Sequence, residues 1–350
     1  MKILFAPDYG DNDYQNSLKE ELVKLDVKIY STSKSIFFPI LFSFFKIRPK
    51  IIHFHWTGPY LFGTNIFFTF VKSFIFISEV FICRLLGAGI VWTVHNLYNH
   101  EKYHKNLEIF FNNLLVYLSD KLIVHSNLQK EKIKQFYGKK AYLKTSVIFE
   151  GGYDRLYGFK IDRYSACNIL KINPDYINIL FYGNIREYKG LELLVEAFNS
   201  AYENKNLLIL GKCFDDNIKK RLEDKISNIP NILFKFKHAS CEDTVFFFSA
   251  CDAVVLPYTD IFNSGLISLA ISMEKPVIYS DLDLLKENLD GCGISFIKGD
   301  ISDLNKVIKS LKRKDLDVFL PKIRERKTIF SWKNNAKNLL YIYEKISYGQ

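Results

Sequence analysis

Short runs of Ile, Val, Leu and Phe recur along this chain, each ending near a polar residue and followed by a stretch of helical spacing, and this recurrence constrains the fold most. Apolar runs separated by amphipathic helices are buried on both faces, the pattern of a parallel sheet covered by crossover helices. The spacing predicts strands over 2–6, 28–30, 51–55, 90–95, 121–125 and 146–149, with helices such as 13–24 and 106–118 between them. A less regular stretch, 151–174, interrupts the pattern. The alternation then restarts, with strands expected at 177–182, 207–210, 232–236, 253–256, 276–279 and 294–296 and helices at 191–201 and 243–250. At 350 residues the chain suits two domains. The expectation is an α/β chain of two Rossmann-like domains in tandem, facing across a cleft where a ligand would sit.

The formal net charge of +10, from 48 Lys and Arg against 38 Asp and Glu, favours anionic partners. There is no zinc-finger spacing and no Arg-rich arm, and the aromatics follow core-like spacing, so nucleic acid is not expected among those partners. Six scattered cysteines without a CxxC read as reduced core thiols. MKILFAPDYG runs into a strand without a signal-peptide pattern, and a cytoplasmic protein is expected. Residues 61–94 are apolar but interrupted by Lys72, Glu79 and Arg84, so no transmembrane helix is expected there. Residues 35–50, SIFFPILFSFFKIRPK, support two readings. One is an interfacial segment in peripheral contact with an anionic membrane through Lys46, Arg48 and Lys50; the other is a core helix whose basic C-terminus suits the helix dipole.

Residues 177–197, INILFYGNIREYKGLELLVEA, carry the strongest chemical signal. A strand ends at Tyr182, a turn with Gly183 and Gly190 brings in Arg186 and Lys189, and a helix opens at Leu191. Glycines allow close backbone approach, a helix N-terminus presents unpaired N–H groups, and Arg with Lys supplies charge for phosphate oxygens.

This segment resembles the donor-phosphate turn of GT-B glycosyltransferases of the family 4 type, in which a strand leads into Gly, a basic pair, Lys-Gly and a helix. Residues 250–281 resemble the same family's signature: an Asp before a buried strand, Pro-Tyr, a small-residue loop opening a helix, and a Pro-Val strand. With His95 in TVHN and Trp332 in a closing FSW, the resemblance spans essentially the whole chain. It implies a GT-B fold with an acceptor-binding domain at 1–155 and a nucleotide-sugar-binding domain at 156–350, the final helix at about 331–347 packing back on the first domain. It further implies transfer of a sugar from a nucleoside-diphosphate sugar to a hydroxyl of a saccharide or lipid-linked saccharide, in the synthesis of exopolysaccharide, lipopolysaccharide or another bacterial surface polysaccharide. Gly183, Arg186, Lys189, Asn263, Ser264 and Gly265 would hold the diphosphate, with no cofactor beyond the donor. The 263–265 amides, ahead of a helix, supply the second anion site on their own physical merits.

One departure from the family pattern stands out. Retaining members carry two glutamates around this loop, and those places fall on Ile261 and Leu269, neither of which can accept a ribose hydroxyl's hydrogen bond. Asp260 has Ser268, not an acid, eight positions on. Retention and inversion therefore both stay open, and the alternatives are a catalytically silent sugar-nucleotide-binding partner or a GT-B-fold sugar-nucleotide epimerase.

For the acceptor side, TVHNLYNHEKYH follows a strand end. The resemblance places His95 beside the transferred sugar, where a neutral imidazole can hydrogen-bond the sugar or developing charge. Glu101 is the candidate general base of an inverting reaction, and Asn96 and His100 are candidate acceptor contacts, against the plain reading of an exposed polar loop. Tyr14 and Gln15, beyond the first strand, could also touch the acceptor. HEKYH matches the HExxH zinc motif literally, but it follows a strand and turn and lacks a third ligand, so no metal site is expected. The Asp-x-Asp strings at 11–13 and 281–283 are not read as metal sites either, because Arg186, Lys189 and helix N-termini can neutralise a leaving diphosphate.

Overall fold

The computed structural model describes residues 1–10, 12–33, 37–98, 104–153, 161–199, 201 and 203–349. The chain divides into two compact units, Met1–Gly151 with Ser331–Gln350 as unit 1 and Gly152–Phe330 as unit 2. Packing decides where the division falls. A Cβ on Gly151 would meet the Trp332 indole at 2.2 Å, so the chain stays bound to unit 1 up to that glycine, short of the expected 155/156 boundary.

Unit 1 contains strands β1 (Lys2–Ala6), β2 (Lys28–Ser31), β3 (Ile51–Phe54), β4 (Gly89–Thr93), β5 (Lys121–Val124) and β6 (Thr145–Val147), in the order β2-β1-β3-β4-β5-β6. All its strand pairs are parallel. β3 and β4 are buried along their whole length, as near-continuous apolar strands must be when helices cover both faces. On one face the helix Asp13–Val23, opened by the Asn12 side chain accepting from Gln15 N, packs against the helix Trp332–Tyr348. Leu18 and Leu22 of the first join Trp332, Ala336, Leu339 and Tyr343 of the second over Ile3, Phe5 and Val91.

Elsewhere in unit 1, the helices Pro39–Ile47, Ile66–Leu85 and Lys105–Leu118 lie side by side. The middle one runs unbroken through the charges that interrupt its sequence, because each is engaged. Lys72 Nζ donates to Phe62 O at 2.9 Å, and Arg84 pairs with Asp120 at 2.7 Å. Glu79 is buried and accepts from Ile40 N at 3.0 Å and Leu41 N at 2.9 Å, capping the N-terminus of the Pro39–Ile47 helix. By length and apolar composition this 20-residue helix could cross a membrane. One face, however, with Thr69, Ser73, Phe76, Val80 and Cys83, is committed to the interior of unit 1.

Unit 2 repeats the plan with β7 (Ile177–Tyr182), β8 (Lys205–Leu210), β9 (Ile232–Lys235), β10 (Ala253–Leu256), β11 (Val277–Ser280) and β12 (Gly293–Phe296), in the order β12-β11-β10-β7-β8-β9. Its strand pairs are also parallel. At the amino ends of its central strands one carboxylate gathers the chain. Asp252 Oδ1 accepts from Arg163 Nε at 2.8 Å and Arg313 Nε at 3.1 Å, while Oδ2 accepts from Arg163 Nη2 and from Asn178 N of β7, both at 2.8 Å. Removing it strips a charge-assisted partner from two arginines and a strand amide. Because both arginines are partly solvated, Asp252→Ala is expected to cost about 2–3 kcal/mol, read as a fall in the urea midpoint. An unchanged midpoint would show that the clamp adds nothing to stability.

Candidate active site

In each sheet the strand order reverses once, between β1 and β3 in unit 1 and between β7 and β10 in unit 2. Loops leaving the carboxyl ends of two such strands diverge and open a crevice, the usual ligand position in open parallel sheets. Most of the described residues singled out from the sequence lie at or next to these two points.

In unit 2, β7 runs into Gly183 at φ +97°, then a single 3-10 turn, Glu187–Lys189, closed by Gly190 at φ +68°. Both glycines use backbone conformations that side chains resist, and Gly190 has no room besides: a Cβ there would lie 1.9 Å from Pro257 O in the loop after β10. Thr259 N donates to Tyr188 O at 2.8 Å. The turn after β7 and the loop after β10 are thus locked together.

That lock fixes Lys189. Its Nζ lies 5.7 Å from the centre of the buried Tyr258 ring, and the Tyr258 hydroxyl is 3.5 Å from that of Ser264. Ser264 makes no side-chain cap on the helix Gly265–Ser272 that follows it. Burial pushes Lys189 down to about 8, with repulsion from Arg186 adding to the effect. Among the described residues no carboxylate pairs with Lys189 or Arg186. Gly183, Arg186, Lys189, Ser264 and Gly265 therefore converge, with Asn263 next in the same loop, and Tyr258, which sequence reasoning left as half of a Pro-Tyr signature, bridges the two halves. Ile261 and Leu269 are buried, and the neighbouring Asp260 is exposed, its Oδ1 turned back to Ile261 N at 2.8 Å.

In unit 1 the parallel register sets four imidazoles at the carboxyl ends of β3, β4 and β5. His53 Nδ1 meets the Tyr343 hydroxyl at 2.5 Å and its Nε2 the Thr93 hydroxyl at 2.8 Å. His95 stacks on Trp56 with ring centres 4.0 Å apart and planes 8° from parallel, and its Nε2 lies 3.5 Å from His55 Nδ1. His125 Nδ1 donates to Ile148 O at 2.7 Å. Tyr14 stands among them, edge-on to His95 at 5.0 Å, His125 at 5.5 Å and Trp332 at 5.0 Å. Beside this cluster a cavity of about 330 Å³ is lined by His55, Trp56, His95 and Asn96, with Tyr9 and Asn12 from the loop after β1.

All four imidazoles are buried, and burial lowers their affinity for a proton: His53 to about 3, His55 and His95 well below the ordinary value with their neighbours' repulsion adding to the effect, and His125 less, because Glu150 and the Ile148 carbonyl partly offset burial. They are neutral rings. With Nδ1 carrying the His125 proton, its Nε2 presents a lone pair, and neither that atom nor His55 Nε2 has a hydrogen-bond partner among the described residues.

Gln15 has a different role from the acceptor contact expected of it. It is fully buried, its Oε1 accepting from Tyr9 N at 2.8 Å and its Nε2 donating to Pro7 O at 2.7 Å, so both amide atoms brace the loop after β1. Tyr14 is buried too and meets the cavity only through His55, Trp56 and His95. His100 and Glu101 lie outside the described residues. Sequence reasoning did not single out Trp56, the platform under His95; its signal was the position directly after a strand ending in HFH.

The fold matches solved structures over the whole chain. Sucrose-phosphate synthase from Thermosynechococcus elongatus superposes with a TM-score of 0.77 at 16% identity, covering 100% of this chain and 99% of that one. Anabaena HepE in complex with UDP and glucose superposes at 0.73 and 15% identity, covering 99% and 100%. Residues 177–314, which contain the Lys189 turn and the Ser264 loop, match the family described as Glycosyl transferases group 1. That segment of unit 2 belongs to the group 1 glycosyl transferases, and the chain has the GT-B fold. A GDP-mannose:glycolipid 4-beta-D-mannosyltransferase from Xanthomonas campestris pv. campestris is 30% identical over 101 residues, a match that covers 29% of the GT-B chain and 29% of that relative.

The histidine cluster makes the GT-B chain's stability depend on pH. Unfolded, these rings titrate near their ordinary 6.5; folded, they stay neutral to lower pH. The unfolded state therefore binds more protons below 6.5, so stability is full above that pH and is lost as the pH falls toward the folded values. The urea midpoint is expected to drop between about pH 7 and about pH 5, more steeply than in a His53→Gln variant. A flat profile would mean that the cluster titrates alike in both states.

Proposed function

We propose that this chain transfers a sugar from a nucleoside-diphosphate sugar to a hydroxyl of a saccharide or lipid-linked saccharide acceptor. The observation that carries the reading is Lys189: a partly buried cation at a switch point, beside Arg186 and, among the described residues, without a carboxylate to neutralise it. Such a cation is costly to keep unless an anion arrives. A diphosphate would lie against Lys189, Arg186 and the first amides of the Gly265–Ser272 helix, which supply charge and directed N–H donors for the departing diphosphate without a metal. That HepE is described in complex with UDP and glucose, on the same fold, supports a nucleoside-diphosphate donor.

In unit 1, His95 is the proposed group at the transferred sugar and Asn96 an acceptor contact on the cavity wall. A neutral imidazole held flat by Trp56 can donate or accept without carrying charge into the site. The name of the Xanthomonas relative, which acts on a glycolipid, supports a lipid-linked acceptor and a place in bacterial surface polysaccharide synthesis. The chain would then work at the cytoplasmic face of the membrane, with residues 35–50 in peripheral contact.

Two measurements test the reading. Lys189 starts near 8, and a bound diphosphate would raise it, so donor binding takes up protons around pH 8 and weakens as the pH rises beyond it. Calorimetry of nucleoside-diphosphate binding in buffers of different ionisation enthalpy is expected to show that uptake, and Lys189→Met to abolish it with roughly tenfold weaker binding. Unchanged affinity in the variant would remove Lys189 from the donor site. His95→Ala is expected to lower kcat by about a hundredfold or more while leaving donor affinity intact. Full turnover would exclude His95 from the reaction.

A further inference from the structure

The Ile66–Leu85 helix carries two faces of different fates. Opposite the face buried in unit 1, Phe67, Phe70, Phe74, Phe81 and Leu85 follow intervals of three, four, seven and four residues, which keeps them on one side of a helix. They stand in solvent: Phe67 is 67%, Phe74 59% and Leu85 70% exposed. The stripe broadens to either side. The adjacent Pro39–Ile47 helix presents Phe42 and Phe45, and the adjacent Lys105–Leu118 helix presents Phe110 and Tyr117, with Phe70 and Phe111 rings 5.8 Å apart between them. Scattered exposed apolar side chains are ordinary, but an aromatic face running across three neighbouring helices is not.

Charge indicates what covers it. Between Asp26 and Glu101 the sequence has one acidic residue, Glu79, and it is spent inside unit 1 as the cap of the Pro39–Ile47 helix. Every other charge in that stretch is a lysine or arginine. Lys46, in the last turn of the Pro39–Ile47 helix, and Arg48 and Lys50, past its end, are exposed, and Lys72 is exposed on the Ile66–Leu85 helix itself. The Lys105–Leu118 helix adds one acid, Glu108, and it is buried. An aromatic face framed by cations, with the acids of its three helices turned inward, fits an apolar layer bounded by anions, which is the surface of an anionic bilayer. The helix is long enough to span such a bilayer, but Thr69, Ser73 and Glu79 are held in the protein interior, Ser73 Oγ donating to Leu61 O at 3.0 Å. It must therefore lie along the surface.

We infer that the outer face of the Ile66–Leu85 helix, with its two neighbours, seats in the plane of an anionic lipid bilayer, its phenylalanines at headgroup depth and Lys46, Arg48, Lys50 and Lys72 against lipid phosphates. This extends the contact proposed for residues 35–50 onto the Ile66–Leu85 and Lys105–Leu118 helices, and it stands whatever sugar or acceptor the chain uses.

The test is sedimentation of the full chain with vesicles of phosphatidylcholine, alone or with one-third phosphatidylglycerol. The wild type is expected to sediment with the mixed vesicles and not with phosphatidylcholine alone, and to be released by salt. Phe67→Ser with Phe74→Ser, both exposed, is expected to weaken partitioning by roughly tenfold or more, and Lys46→Glu with Lys50→Glu to weaken it on mixed vesicles as well. Thermal unfolding and nucleoside-diphosphate binding of each variant, unchanged from wild type, separate loss of docking from loss of fold or of the donor site. Equal binding to neutral vesicles, no binding to either, an undiminished Phe67→Ser/Phe74→Ser variant, or a concentration-dependent dimer that the same pair abolishes would each overturn the proposal, the last by assigning the face to a second copy of the chain.

Discussion

Two parallel strands can be neighbours only if the chain crosses back over the sheet between them, and that geometric requirement organises both units. The crossovers cover the sheet with helices, so the strands must be apolar on both faces. The same requirement turns every carboxyl end to one edge, where the polar residues that interrupt the apolar runs are brought together. His55, His95 and His125 are far apart in sequence and neighbours in space only because β3, β4 and β5 pair in register. Lys189 and Ser264 meet through Tyr258 for the same reason, because β10 pairs with β7.

The strands were the most legible part of the chain. A run such as IIHF has nowhere to go but a buried strand, and the strand-to-turn signal of Gly183 with Gly190 is local, being a matter of backbone conformation that neighbours in sequence determine. Gly183, Arg186, Lys189, Ser264 and Gly265 were legible for that reason: each belongs to a short segment whose chemistry is complete in itself. His95 was legible as a polar residue at a strand end.

What sequence could not supply were partnerships across the fold. Gln15 looks available until the Pro7 carbonyl and Tyr9 amide claim both its amide atoms. Glu79 looks like an interruption of an apolar stretch until it is seen capping a helix 39 residues upstream. The inner face of the Ile66–Leu85 helix carries Thr69, Ser73 and Glu79 while the outer one is lined by Phe and Leu, so composition alone points to the wrong face as the buried one. Trp56 is an aromatic beside a strand until the β3–β4 register slides His95 onto it.

The Trp332–Tyr348 helix closes the core of unit 1 although all of unit 2 precedes it in the chain, and its Tyr343 supplies the hydroxyl that His53 bonds. On a ribosome, the first strands emerge long before the residues that complete their packing. Unit 1 must wait as an open sheet with its histidines uncovered, while unit 2, contiguous in sequence, has everything it needs. Completion of unit 1 therefore depends on residues that are made after all of unit 2.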